Sequence, residues 1–96
     1  MNAKALLHQQ RDEILRIAAR HGASNVRVFG SVARDEAHSD SDIDLLVEFD
    51  LDRSLFDHVA LIHDLEELLG RKVDVVTDQG LHWYIRDKVL GEAVPL

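Results

Sequence analysis

The sequence predicts an α+β fold, a small mixed three-stranded sheet flanked by helices. Three observations predict it. Three segments alternate apolar and polar residues as strands do, the segments around them space their apolar residues as helices do, and glycine stands at the junctions. With 96 residues, one domain spanning 1–96 is expected. A chain this short buries roughly two-thirds of the surface its unfolded form exposes, which leaves little room for a separate acceptor-binding domain.

Residues 3–21 read as an amphipathic helix, with Leu7, Ile14 and Ala18 on one stripe, Leu6 and Ile17 beside it, and Gly22 as the C-terminal stop. Asn25–Phe29 is a short strand with Val26 and Val28 on one face. Gly30-Ser31 ends it, and Val32–Ala37 forms a short helix with Ser31 as N-cap. His38–Ser41 is a polar loop. Asp42–Phe49 is the second strand, with Ile43, Leu45 and Val47 on one face and Asp42, Asp44 and Leu46 on the other. The link from Gly30 to Asp42 is near the shortest that a parallel crossover allows, so the pairing direction stays open. Ser54 and Asp57 form a capping box for a helix whose stripe is Leu55, Val59, Ile62, Leu65 and Leu69, closed by Gly70. Lys72–Thr77 is the third strand, Gln79–Leu90 the last helix, and Pro95 lies in the tail.

Composition excludes several functions. There is no cysteine, so disulfides and thiolate metal sites are out. The net charge is −7 and the basic residues are scattered, which argues against direct nucleic-acid binding and leaves a basic protein partner plausible. No stretch is long and apolar enough to span a membrane, and Met1–Gln10 has no signal-peptide pattern, so a cytoplasmic protein is expected. None of the six histidines belongs to a ligand-spaced pair, and all are read as surface or boundary residues. Trp83 is expected to cap the core, with docking of a partner by His82, Trp83 and Tyr84 as the alternative.

The chemistry resides in the acids. Residues two apart on a strand point to the same face, so Asp42 and Asp44 hold two carboxylates about 6.5 Å apart along the chain. Such a pair repels itself, and a divalent cation relieves the repulsion. Oxygen ligands suit Mg²⁺, which also binds phosphate. Asp74 interrupts the apolar run Val73–Val76, where a buried charge needs a partner or a metal. If its strand lies beside the second one, Asp42, Asp44 and Asp74 make a two-metal site, with Asp74 helping to deprotonate the attacking hydroxyl. Gly30 lets the backbone approach an anion, Ser31 adds a hydroxyl, and Arg34 offers a planar fork to phosphate. The competing readings are a solvated turn for Asp42 and Asp44, an edge-strand charge for Asp74 and a surface residue for Arg34.

Gly30-Ser31, ten intervening residues and Asp42-Ile43-Asp44 together resemble the GSx10DxD signature of the DNA polymerase β-like nucleotidyltransferases, with Asp74 in the third acidic position. Phe29–Arg34, Ser41–Val47 and the ending Ile85–Leu96 resemble the minimal nucleotidyltransferase (MNT) proteins, so the likeness covers nearly the whole chain. The resemblance implies the nucleotidyltransferase fold, ATP as substrate and metal ligation by Asp42, Asp44 and Asp74. It also implies a toxin–antitoxin role, in which AMP is transferred from ATP to a tyrosine of a partner HEPN ribonuclease toxin. One departure is Asp35, where many relatives have Gly after the Arg; it adds a negative charge near the presumed phosphate site. Two other functions fit the residues. One is an antitoxin that neutralises its toxin by binding alone. The other is a transferase for a small molecule such as an antibiotic.

Overall fold

The computed structural model describes residues 2–36 and 42–96. The polar loop His38–Ser41 and the expected helix end at Ala37 lie outside the described residues.

The first expected helix is two: α1, Ala3–Gln9, and α2, Arg11–Arg20. The break falls at Gln10, whose backbone (φ −97°, ψ 12°) leaves the helical region. Asn2 caps α1 by accepting the Ala5 N–H at 2.7 Å. The stripe survives the break, for Leu7, Ile14, Ile17 and Ala18 are all buried. Gly22, at φ +76°, turns the chain into β1, Ala23–Phe29. A register shift between Ser24 and Arg27 accompanies Asn25 at φ +50°.

The helix after β1 is α3, Gly30–Ala33, shorter than expected and beginning two residues earlier than the Ser31 cap requires. Phe29 holds the N-cap position, and Ser31 sits inside the first turn. Asp35 has φ +62°, the left-handed conformation in which Gly is least strained.

β2, Ile43–Phe49, pairs antiparallel with β1, which settles the direction left open. α4, Leu55–Leu69, begins with the expected capping box and ends at Gly70 with φ +65°. Its long crossover lets β3, Val73–Thr77, lie parallel to β2. A 3₁₀ turn, Asp78–Gly80, precedes α5, Trp83–Glu92, so the last helix starts later than expected. The chain then adds a fourth strand, β4, Val94–Pro95, antiparallel to β1; Pro95 is an edge-strand residue rather than tail. The sheet order is β3-β2-β1-β4.

The main core lies on one face of the sheet. Val26, Val28, Ile43, Leu45, Val47, Val73 and Val75 meet Ile14, Ile17 and Ala18 of α2 and Leu61, Leu65 and Leu69 of α4. The α4 stripe is the expected one only in part: Leu65 and Leu69 are buried and Ile62 packs against the core, whereas Leu55 is 75% exposed and Val59 58%. Apolar residues run almost all round this helix, and the face that meets the sheet takes Leu61 in place of Leu55 and Val59. Leu46 points the other way by strand alternation and is also fully buried, on the side that carries Asp44. Val89 is the buried residue of α5. Trp83, expected in the core, is 85% exposed, and Tyr84 beside it is exposed as well. Trp83 opens α5 and packs edge-on against the Tyr84 ring, not into the protein. Among the described residues no helix is long and apolar enough to cross a membrane.

Candidate active site

The sheet registers assemble the site. Phe29 stands opposite Asp44 across the antiparallel pair, and Asp44 stands opposite Asp74 across the parallel one. One row across three strands thus ends in Phe29 on one side, immediately before Gly30, and Asp74 on the other, with Asp44 between. Asp42 precedes β2 on the same side as Asp44 by alternation. The apolar residues flanking Asp44 and Asp74 turn to the core: Ile43 and Leu45 are 0% exposed, Val73 3% and Val75 2%. That forces both acids to the opposite face.

Gly30 has φ +74°, and a Cβ built there would collide with Asp44 Oδ2. The glycine therefore serves two needs: the left-handed turn, and a backbone that lies directly against a carboxylate. Asp44 is half-buried, and its carboxyl is pushed up to about 6. Burial is the largest cause; repulsion from Asp74 and then Asp42 adds to it, Arg34 opposes it, and Glu92 contributes further repulsion. Asp42 and Asp74 are exposed. The expectation of a buried Asp74 is thus corrected: it lies on the edge strand with its carboxylate in water, where its charge costs little.

The Arg34 guanidinium is engaged. It meets both Glu92 carboxylate oxygens at 3.1 Å, and its Nε donates to Glu36 Oε2 at 3.2 Å. These carboxylates raise its pKa further, the bond to Glu36 being the larger cause and the bond to Glu92 the next. Glu92 Oε1 also accepts the Gly30 N–H at 2.8 Å. Burial opposes ionisation of Glu92, but the Gly30 N–H and Arg34 hold its carboxyl below the usual range. Glu92 was not among the residues singled out from the sequence. The only hint was its place in the ending Ile85–Leu96, whose likeness to the family names no role for it.

The donor set fits a hard divalent cation. It is all carboxylate oxygen, and Asp44 carries an unrelieved charge penalty that a cation would remove. Among the described residues, three side-chain ligand atoms within 4.8 Å of one another occur only at His63, Asp64 and Glu67 on α4. Asp42, Asp44 and Asp74 do not all fall within that distance of one another. His63 and Glu67 are exposed, an ordinary arrangement of helix neighbours one turn apart. Two other histidines serve structure: His21 bonds Asp64 at 2.7 Å, and His58 Nε2 meets the Val75 carbonyl at 2.6 Å.

A Gly-Ser turn laid against a carboxylate row on a mixed sheet defines an enzyme that moves a nucleotidyl or phosphoryl group. Within that class the chain belongs to the nucleotidyltransferase domain family, whose model matches residues 11–96. It is 43% identical over 88 residues to "Putative protein adenylyltransferase MJ0435" of Methanocaldococcus jannaschii, covering 92% of this chain and 95% of that one. It is 44% identical over 75 residues to "Protein adenylyltransferase MntA" of Thermococcus cleftensis, covering 78% of this chain and 76% of that one. Among solved structures, "Structure of putative minimal nucleotidyltransferase" superposes with TM-score 0.87 at 53% identity over 97% of this chain and 95% of the other. "Crystal structure of the toxin-antitoxin with AMP-PNP" shares the fold, with TM-score 0.75 at 20% identity over 88% of this chain and 69% of the other.

Proposed function

We propose that this protein is an antitoxin that transfers AMP from MgATP to a tyrosine hydroxyl of a partner HEPN ribonuclease toxin and so neutralises it. The observation that carries the reading is the registered pair of Asp44 and Asp74 facing the Gly30-Ser31 turn. Relatives that cover most of this chain are named protein adenylyltransferases, and one solved structure of the same fold is a toxin–antitoxin with AMP-PNP.

In this reading Gly30 and Ser31 seat the triphosphate, with Arg34 beside the turn. Asp42, Asp44 and Asp74 would hold Mg²⁺, which when bound would neutralise charge at the phosphates and favour the nucleophilic form of the hydroxyl. The phenol oxygen bonds to the α-phosphorus, the bond from that phosphorus to the β-bridging oxygen breaks, and pyrophosphate leaves. Asp74, in water at the open edge, receives the phenolic proton. Exposed Trp83, Tyr84, Leu55 and Phe56 supply apolar surface of the kind that protein partners cover, and the net charge of −7 suits a basic partner.

The test is to incubate the protein and its co-purifying partner with ATP labelled at either the α- or the γ-phosphate. The expected result is that the α-label becomes bound to the partner and the γ-label does not, and that Asp44→Asn abolishes the transfer. Transfer of the γ-label would make the enzyme a kinase. A partner held tightly by both wild type and Asp44→Asn, with no label from either source, would favour neutralisation by binding alone.

A further inference from the structure

Glu92 is the last residue of α5, yet its carboxylate lies at the start of α3, bonded to the Gly30 N–H and to the Arg34 fork. The sheet puts it there. β4 pairs with β1 so that Val94 faces Val28 and Pro95 faces Arg27. Continuing that antiparallel register two residues outward brings Glu92 opposite Gly30. The pairing is pinned farther out by Leu96, whose N–H donates to the Val26 carbonyl at 3.1 Å and whose carbonyl accepts from Arg11 Nε at 2.8 Å. The side chain is 19% accessible, against 41% for Arg34, so the pair is formed at the edge of the site and not out in solvent.

Resting on the nucleotide reading above, we propose that Glu92 is a positioning residue for the nucleotide: it fastens the Gly30-Ser31 turn and Arg34 to the end of α5. In that arrangement the Gly30 N–H is spent on the protein, and the phosphate is met by Ser31 and by an Arg34 whose fork is already oriented. Both Glu92 oxygens accept from the single Arg34 Nη1 while Nε is held by Glu36; the two carboxylates together fix the guanidinium, and an oriented donor loses less entropy on binding than a free one. Gly30 also lies against Asp44, so the same contact sets the distance between the turn and the acid row.

Net charge alone predicts the opposite behaviour. Removing a carboxylate from an acidic site should draw an anionic nucleotide in more tightly, so the sign of the effect separates positioning from simple electrostatics. The experiment uses the full chain, with calorimetry for a non-hydrolysable ATP analogue plus Mg²⁺, steady-state kinetics, and the Gly30 amide resonance without ligand. Glu92→Gln should shift that resonance and weaken analogue binding about tenfold, the loss of one charge-assisted bond. KM for MgATP should rise by a similar factor while kcat changes much less. Glu92→Asp keeps the charge but retracts it by one methylene, and should fall between the two; it carries the same test if Glu92→Gln does not fold. Unchanged or tighter binding in the folded variants overturns the inference alone. A wild-type protein that binds no Mg²⁺–nucleotide overturns the nucleotide reading and this inference with it.

Discussion

Asp44 is held at a cost. Its carboxyl titrates at about 6 in the folded protein against 3.8 in a free chain, because burial and the neighbouring acids disfavour its charge. A raised carboxyl contributes stability that is complete below pH 3.8 and is lost as pH rises through about 6. At neutral pH the metal-free protein therefore pays for an ionised Asp44. Asp44→Asn should be more stable than wild type at pH 7.5, by about 1 kcal/mol after allowance for solvent screening, and should lose that advantage near pH 4. Melting curves at the two values check this. The same substitution should lower nucleotidyl transfer about a thousandfold, since a metal-held phosphate is worth several kcal/mol in the transition state. Mg²⁺ should raise the wild-type melting temperature at pH 7.5 and lose its effect below about pH 6, where a proton competes for Asp44. At Gly30 both a positive φ and the Asp44 carboxylate oppose a side chain. Gly30→Ala should accordingly cost at least about 1 kcal/mol and damage the site as well.

At the scale of elements, the sharpest contrast lies within α4. Leu61 is fully buried and Leu55 is 75% exposed, although both are leucines of one helix. Leu61→Ala should destabilise by about 2–5 kcal/mol, whereas Leu55→Ala should stay within about 0.5, as read by chemical denaturation. Ser54→Ala should remove the capping box at a cost of about 1 kcal/mol. Elements with local signals could be read from sequence: the first three strands from their apolar patterning, the ends of α2 and α4 from Gly22 and Gly70, and the start of α4 from Ser54 and Asp57. The buried face of α4 could be read only in part: Leu65 and Leu69 are buried as expected, but Leu61 takes the place of Leu55 and Val59. Its apolar residues satisfy more than one stripe, and only the position of β3 decides among them. The break at Gln10 carries no proline or glycine to mark it. β4 is two residues long and contains Pro95, so its strand character exists only through pairing with β1.

For the whole molecule, topology turns a linear motif into a site. An antiparallel β1–β2 pair and a parallel β2–β3 pair place Phe29, Asp44 and Asp74 in one row, and β4 returns the chain so that Glu92 reaches Gly30. The Gly30-Ser31 turn and Asp44 were each legible as a candidate, and the resemblance implied that they act together, but their contact rests on the antiparallel β1–β2 pairing that the sequence left open. The Glu92 contact was not legible, because it depends on a register set 62 residues away. Nor was the exposure of Trp83, since a lone tryptophan at a helix start suits a core edge and an interface equally well. The assembled surface has a net charge of −7, an open acidic edge and apolar side chains outside the core. This surface suits an enzyme whose acceptor arrives on another protein.

The most direct measurement is intact mass spectrometry of the partner that co-purifies with this protein, before and after MgATP, with Asp44→Asn in parallel. The account predicts a gain of one or more AMP units on the partner with wild type and none with the variant. A partner that gains the same mass with Asp44→Asn, or that never changes mass with the wild-type protein, would contradict it.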